Sequence, residues 1–361
     1  MALLSCTKVV LSKCAPLVGI SLKGHVRNLI SKQLVYKEFG DPLQVVKFRE
    51  VEVPPLESQE VLVRMLAAPV NPADINTIQG RNLCLPCLPT IPGDEGVGEV
   101  VEIGDRVCTV DLGDRVVLTS RLLGTWRYYG VYHERDIHVI SPKLPLPEAS
   151  MLTIAPCNAY RMLKDFRKLN PGETVIQNAA NSPCGQCVIQ LCKAWGINTF
   201  NIVANHCGYE EVKEYLLGIG ATAVYTIEEA EELTSFDTSL SRPILGLNCL
   251  GGRYEDVMIK LLDSCGVIVY YGCAYDLPQV KKFLRPDIKF SRFHLCDWDA
   301  HAGVLHKDVM MNDIVQTMVI GKLRAPIYQP IELKNYVHAI RNTVNCEAFS
   351  TVNFVFDLTL P

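Results

Sequence analysis

The feature that most constrains this sequence is a change of rhythm after Pro147. From there, short apolar runs alternate with stretches whose apolar residues recur at helical spacing. Thr174–Asn178 reads as a strand, Gly185–Trp195 as a helix, Asn198–Ala204 as a second strand and Tyr209–Leu217 as a second helix. Ala223–Thr226, Leu245–Leu250 and Val267–Tyr271 continue as strands, with helices predicted over Glu148–Leu163 and Tyr254–Asp263. Strands and helices alternating at this pitch build βαβ units, that is, a parallel sheet with helices on both faces. The expected class is α/β, and the plan is the doubly wound Rossmann one that binds dinucleotides.

The residues before Pro147 obey a different rule. Gln33–Tyr36, Gln44–Glu50, Glu60–Ala67, Val97–Ile103 and Arg115–Leu118 follow the alternating, valine-rich pattern of a half-exposed antiparallel sheet. Gly40-Asp41-Pro42 and Gly113-Asp114 mark turns, and the prolines from Pro54 to Pro92 speak against helix between them. Near the other end, Leu333–Asn345 reads as a helix and Thr351–Asp357 as a strand that returns to the first domain. The chain has 361 residues, enough for two cores. The expected layout is a β-rich domain with a parallel α/β domain inserted into it.

The first 36 residues hold no Asp or Glu, while Lys8, Lys13, Lys23, Arg27 and Lys32 are spaced among Ser, Leu and Val. That is the pattern of a mitochondrial transit peptide, and the lysines break up any apolar core a secretory signal would need. A basic tail is the alternative. Residues 1–32 are assigned to this leader, with cleavage near 28–35 and the mitochondrial matrix as destination. The formal net charge of −4 becomes more negative once those cations are gone, which argues against a nucleic-acid partner. No uncharged apolar run reaches the roughly 18 residues of a membrane span, so no membrane insertion is expected. The 15 cysteines are scattered from Cys6 to Cys346 and odd in number, which suits free thiols and small buried groups. Cys84 and Cys87 form one C-x-x-C with no second pair to complete a tetrahedral metal site.

Chemistry concentrates after the first parallel strand. Ala179-Ala180-Asn181-Ser182-Pro183-Cys184 leads into the helix beginning near Gly185, where a doubly wound fold holds a pyrophosphate against a helix N-terminus. Only Gly185 remains of the glycines expected there, and a plain strand–helix turn is an equal reading. Longer stretches carry more: Gly40-Asp41-Pro42, Leu66–Asn76 (LAAPVNPADIN), Ile78-Gln79-Gly80, Gly124–Arg127 (GTWR), Ala159–Leu163 (AYRML), Val175–Ala179 (VIQNA) and Leu247–Gly252 (LNCLGG). In these the sequence resembles the mitochondrial 2-enoyl thioester reductases, in the quinone-oxidoreductase-like branch of the medium-chain dehydrogenase/reductase superfamily. The likeness runs from Val35 to about Asn345.

The resemblance implies a GroES-like catalytic domain (33–157 and 325–361) and a Rossmann cofactor-binding domain (158–324). It implies NADPH-dependent reduction of trans-2-enoyl thioesters, carried on acyl carrier protein or CoA, within mitochondrial fatty acid synthesis and lipid metabolism. It also implies a homodimer paired through sheet edges of the cofactor domains. Zinc-dependent relatives place an imidazole ligand in a G-H-E segment; here Gly93-Asp94-Glu95 offers none, so a zinc-free oxidoreductase is expected.

Several positions depart from the family. Asn82 stands where the family has its proton-donating tyrosine, and a lost general acid costs about 100- to 10,000-fold in rate. Asn82 can still hydrogen-bond the thioester carbonyl while water supplies the proton, or Tyr128 or Tyr129 can substitute, with strand packing as their plainer reading. Pro183 replaces a glycine of the phosphate loop and removes one N–H donor. Ala204-Asn205-His206 replaces an Arg-Asp-Arg triplet that embraces the 2′-phosphate of NADPH, which leaves NADH open as cofactor. Ala155 stands in the place of a family asparagine that touches the cofactor, while Asn181, Ser182, Cys184, Tyr271-Gly272-Cys273-Ala274 and Phe293-His294-Leu295 match cofactor-lining positions. Trp126 is assigned to the acyl or thioester portion, with a core tryptophan as the alternative. Arg81, Lys281, Lys282 and Arg285 are candidates for a basic patch facing an acidic carrier. Two other functions stay open: a catalytically impaired paralogue that binds nucleotide, acyl thioester or a partner, and a quinone or enone reductase.

Overall fold

The computed structural model describes residues 29–82, 84–233, 240–272, 285–345 and 352–359. Most of the leader therefore lies outside the described residues, as do Lys281 and Lys282. Strand β1 (Ile30–Val35) pairs antiparallel with β2 (Lys47–Glu52), and Ile30 is in register with Glu52. Strand β1 thus takes in Ile30–Lys32, the last residues of the segment assigned to the leader. Between the two strands Asp41 caps a helical turn, α1 (Pro42–Val45), by accepting the Leu43 N–H at 3.0 Å. That cap delays the strand expected at Gln44 until Lys47.

The first large sheet uses β3 (Glu60–Val70), β4 (Val97–Ile103), β5 (Arg115–Leu118), β6 (Tyr129–His133) and β7 (Ile137–Val139). Its main surprise is α2 (Pro72–Ile78), a helix in the proline-punctuated stretch where none was expected. Pro72 sits in the first turn, where its missing N–H costs nothing. The Asp74 carboxylate reaches back to accept the Asn71 N–H at 2.8 Å and closes that end. The single helix expected over Glu148–Leu163 is two, α3 (Leu146–Ser150) and α4 (Ala155–Asp165). The break has a partner: Glu95 Oε2 accepts the N–H groups of Thr153 and Ile154 at 3.1 and 2.9 Å.

The parallel sheet contains β8 (Thr174–Asn178), β9 (Asn198–Val203), β10 (Ala223–Thr226), β11 (Pro243–Asn248), β12 (Val267–Tyr270) and β13 (Lys289–Arg292). Their spatial order is β10-β9-β8-β11-β12-β13, the doubly wound order that reverses direction between β8 and β11. Helices α5 (Pro183–Trp195), α6 (Tyr209–Ile219), α7 (Ile227–Glu232), α8 (Gly252–Leu261), α9 (Leu295–His301) and α10 (Val304–Val319) accompany it. The edge strand β13, with the sequence KFSR, has no apolar run and left no sequence signal. Then β14 (Tyr328–Glu332), α11 (Tyr336–Asn345) and β15 (Asn353–Asp357) return to the first sheet, whose order becomes β14-β15-β3-β4-β5-β7 with β6 on β3.

One core packs α4, α5 and α10 on the parallel sheet, and a second fills the first sheet around the fully buried Trp126. Among the described residues no helix is long and apolar enough to cross a membrane.

Candidate active site

A cleft of about 540 Å³ opens beyond the ends of the paired strands β8 and β11, between the parallel sheet and α2 of the first lobe. In open α/β sheets this crevice is where nucleotides bind. Beneath it, buried amides join the ends of these two strands. Asn178 Nδ2 donates to Asn248 Oδ1 at 2.8 Å, while Asn178 Oδ1 accepts the Cys249 and Leu250 N–H groups at 2.7 and 3.2 Å. This pair ties the two halves of the sheet together at the mouth.

The loop from β8 to α5 is tightly specified. Ala179 holds φ at 50°, and the Ser182 hydroxyl caps α5 by accepting the Gly185 N–H at 3.2 Å. A Cβ on Gly185 would stand 2.5 and 2.6 Å from the carbonyl oxygens of Ala180 and Ala179, so only glycine fits. Pro183 occupies the first turn of α5 without disturbing it. Ser182, Pro183 and Cys184 line the cleft, as do Ala155, Tyr271, Gly272, Phe293, His294 and Leu295. The Tyr271 hydroxyl is buried beside the Cys184 and Cys249 thiols, and burial raises it well above the usual phenol range. Burial likewise pushes the Cys184 thiol up to about 12.

The opposite wall belongs to α2 and the loops around it. Asn82 is half-buried on the cleft and donates Nδ2–H to Thr77 Oγ1 at 3.0 Å; Thr77 in turn donates to the Ala73 carbonyl at 3.0 Å. Behind them lie three buried acids. Asp74 Oδ1 accepts the Asp94 N–H at 3.0 Å, and burial, with Asp94 alongside, raises the Asp74 carboxyl well above the carboxylate range. Glu95 Oε1 accepts Asn71 Nδ2–H at 2.9 Å, and burial lifts its carboxyl to about 7. Glu95 therefore joins the start of α2 to the start of α4, one element from each lobe. A third arm of the cleft runs past Val344, Val352 and Phe354, an apolar groove open to solvent.

Not every expected residue reaches this cleft. Trp126 is a correction: its ring is fully buried, its Nε1–H donates to the Pro69 carbonyl at 3.0 Å, and it packs edge-on against Phe356 at 5.4 Å. With the N–H satisfied and the ring enclosed, it is a core residue. Tyr128 and Tyr129 do not line the cleft either. Asn181, within the loop from β8 to α5, is buried away from the cleft, its backbone carbonyl accepting Gln186 Nε2–H at 2.8 Å. Ala204, Asn205 and His206 lie just past the end of β9, the last two exposed. Cys273 and Ala274 are outside the described residues. Arg81 lines the cleft, whereas Arg285 is turned to Asp287 and the Ile259 carbonyl.

Sequence reading missed Arg121, Asn158, Cys249 and Cys296, all of which line the cleft. Arg121 lies in a loop with no periodicity, and only the tertiary fold brings it to Asp94 and Asp299.

The alcohol dehydrogenase GroES-like domain family matches residues 57–140. Over 317 residues the chain is 37% identical to the mitochondrial enoyl-[acyl-carrier-protein] reductase of Homo sapiens, covering 86% of this chain and 84% of that one. Among solved structures, the mitochondrial 2-enoyl thioester reductase Etr1p/Etr2p heterodimer from Candida tropicalis superimposes with a TM-score of 0.81 at 23% identity, covering 91% of this chain and 100% of that one. A complex of Etr1p with NADP and crotonyl-CoA matches with the same score, identity and coverage.

Proposed function

We propose, from the premise that the chain belongs to the mitochondrial enoyl-[acyl-carrier-protein] reductase family, that it reduces trans-2-enoyl thioesters to saturated acyl thioesters with NADPH. The observation that carries this reading is the cleft itself: a phosphate loop that only glycine fits at residue 185 faces a wall formed by α2, with an apolar groove leading away. Those residues suit a dinucleotide. Ser182 and Gly185 would hold the pyrophosphate at the start of α5. Tyr271-Gly272 and Phe293–Leu295 would flank the nicotinamide, and Val344, Val352 and Phe354 would receive the acyl chain. NADPH, when bound, supplies the two-electron reduction of the β-carbon. Asn82 cannot release a proton as a phenol does, so the α-carbon takes its proton from water held at this amide.

The segment Ala204–His206 brings no guanidinium to a 2′-phosphate, so preference for NADPH over NADH is expected to be small. The relatives' compartment carries over: the enzyme works in the mitochondrion, with its basic leader directing it to the matrix, and serves fatty acid synthesis. It acts as a homodimer. The outer edge of β13, paired only with β12 among the described strands, is the edge through which two parallel sheets join.

The test is NADPH and NADH oxidation by the purified chain with trans-2-hexenoyl-CoA and, separately, with a quinone. Enoyl turnover is expected. Nucleotide binding without turnover would mean an impaired paralogue, the reading that Asn82 and the missing guanidinium favour. Turnover of the quinone alone would mean a quinone reductase.

A further inference from the structure

The loop after β5 carries a second chemical feature. It is pinned at successive residues: Ser120 Oγ donates to Asp136 Oδ1 at 2.6 Å and the Leu122 N–H to Asp94 Oδ1 at 3.0 Å. The Leu123 carbonyl accepts Arg127 Nη2–H at 2.9 Å and the Gly124 carbonyl accepts the Tyr132 hydroxyl at 3.0 Å. Leu122 is held at φ 63°, a left-handed conformation that costs a leucine free energy and persists only where the surroundings enforce it. The side chain presented by this fixed loop is Arg121, which lines the cleft with 16% of its surface exposed.

Arg121 makes no hydrogen bond among the described residues. Its nearest acid oxygen, Asp299 Oδ2, is 4.0 Å from Nε, beyond hydrogen-bond reach, and the other Asp299 oxygen is 3.9 Å from Lys307 Nζ. Asp94 and Glu95 stabilise the charge through space while their oxygens serve the Leu122 N–H and the Asn71, Thr153 and Ile154 donors. A guanidinium with five donors, poorly hydrated and unspent, is a strong electrostatic site for an oxygen that gains charge. Asn82, across the cleft, already gives one amide N–H to Thr77.

We infer that Arg121 binds the thioester carbonyl oxygen and stabilises the enolate formed there; this rests on the reductase reading above. Reduction at the β-carbon, with NADPH leaving as NADP+, moves the C=C electron pair into a bond between the α-carbon and the carbonyl carbon. The carbonyl pair moves onto oxygen, which accepts the Arg121 N–H groups. The enolate then collapses, its α-carbon takes a proton from water, and hydroxide passes to solvent.

The experiment uses 4-(dimethylamino)cinnamoyl-CoA, whose absorption moves to the red when its carbonyl is polarised. The purified enzyme should shift the probe. Arg121→Gln should bind it without that shift and lose about 100- to 1,000-fold in kcat with trans-2-hexenoyl-CoA, with a much smaller change in KM. Arg121→Lys, which keeps the charge among the buried acids, should recover part of both signals and guards against misfolding of the glutamine variant. A wild-type enzyme that reduces the enoyl thioester yet leaves the probe unshifted would overturn the inference alone, as would Arg121→Gln with unchanged shift and kcat. A wild type with no enoyl turnover at all would remove the reductase reading and the enolate with it.

Discussion

Replacing Glu95 with glutamine should remove a pH dependence that the wild-type fold carries. The Glu95 carboxyl is 1% exposed and accepts four hydrogen bonds, from Asn71 Nδ2, the Thr153 and Ile154 N–H groups and the Thr153 hydroxyl. Burial nonetheless raises its pKa from 4.5 to about 7, and these donors with the Arg121 charge offset only part of that cost. The folded chain therefore holds a proton that the unfolded chain releases above about pH 4.5. The stabilisation this gives is complete below about pH 4.5, declines as the pH rises and is gone above about pH 7. A displacement of that size amounts to about 3 kcal/mol. Glutamine has the shape of the protonated acid and stays neutral throughout. The unfolding free energy of the variant relative to wild type should thus grow by about 3 kcal/mol between about pH 4.5 and pH 7.5, then level off. Urea unfolding across that range, followed by tryptophan fluorescence, measures the difference. A gap that is flat with pH, or that moves towards the wild type, would refute the reasoning: the donors would then outweigh the lost water.

Gly185→Ala should cost about 1–3 kcal/mol, because its Cβ meets two carbonyl oxygens, and should weaken NADPH binding at least about tenfold in a fluorescence titration. Unchanged affinity would detach this loop from the cofactor. Trp126→Ala should lower stability by about 3–5 kcal/mol in urea unfolding while leaving the KM for trans-2-hexenoyl-CoA unchanged. A raised KM at intact stability would return Trp126 to the substrate. Asn82→Tyr should raise kcat by about 100-fold or more if the phenol reaches the α-carbon; steady-state kinetics showing no gain would place proton delivery elsewhere.

Most of the parallel sheet was legible because its inner strands are short buried runs and its helices have a buried face: all five residues of β8 are buried. The edge strand β13 and the helices after it were not, because KFSR carries no such pattern and α10 is apolar on more than one side, with Leu305 and Val309 exposed opposite Met310 and Ile314. Helix α2 was hidden by Pro72, whose effect depends on position within the helix. Within the site, the loop after β8 and the residues near Tyr271 and Phe293 were singled out by resemblance, and Ser182–Cys184, Tyr271 and Phe293 line the cleft. Arg121 and the role of Glu95 could not, since their partners lie on other elements and chain distance gives no hint of them. Trp126 shows the reverse limit: a distinctive motif residue can be distinctive for packing.

The strand order of the first sheet has a consequence for biosynthesis. β15 lies between β14 and β3, and its residues Asn353 and Phe354 help to form the cleft. The Ala67–Val70 end of its partner β3 emerges from the ribosome early, yet must wait until the whole parallel sheet has been translated before β15 covers it, whereas β6 takes Glu60–Arg64 much sooner. The lobe of the parallel sheet, contiguous from β8 to β13, can condense during synthesis, whereas the other lobe keeps the Ala67–Val70 edge of β3 open until β15 arrives. Loss of β15 would therefore take Asn353 and Phe354 from the cleft while leaving every strand of the parallel sheet in the chain.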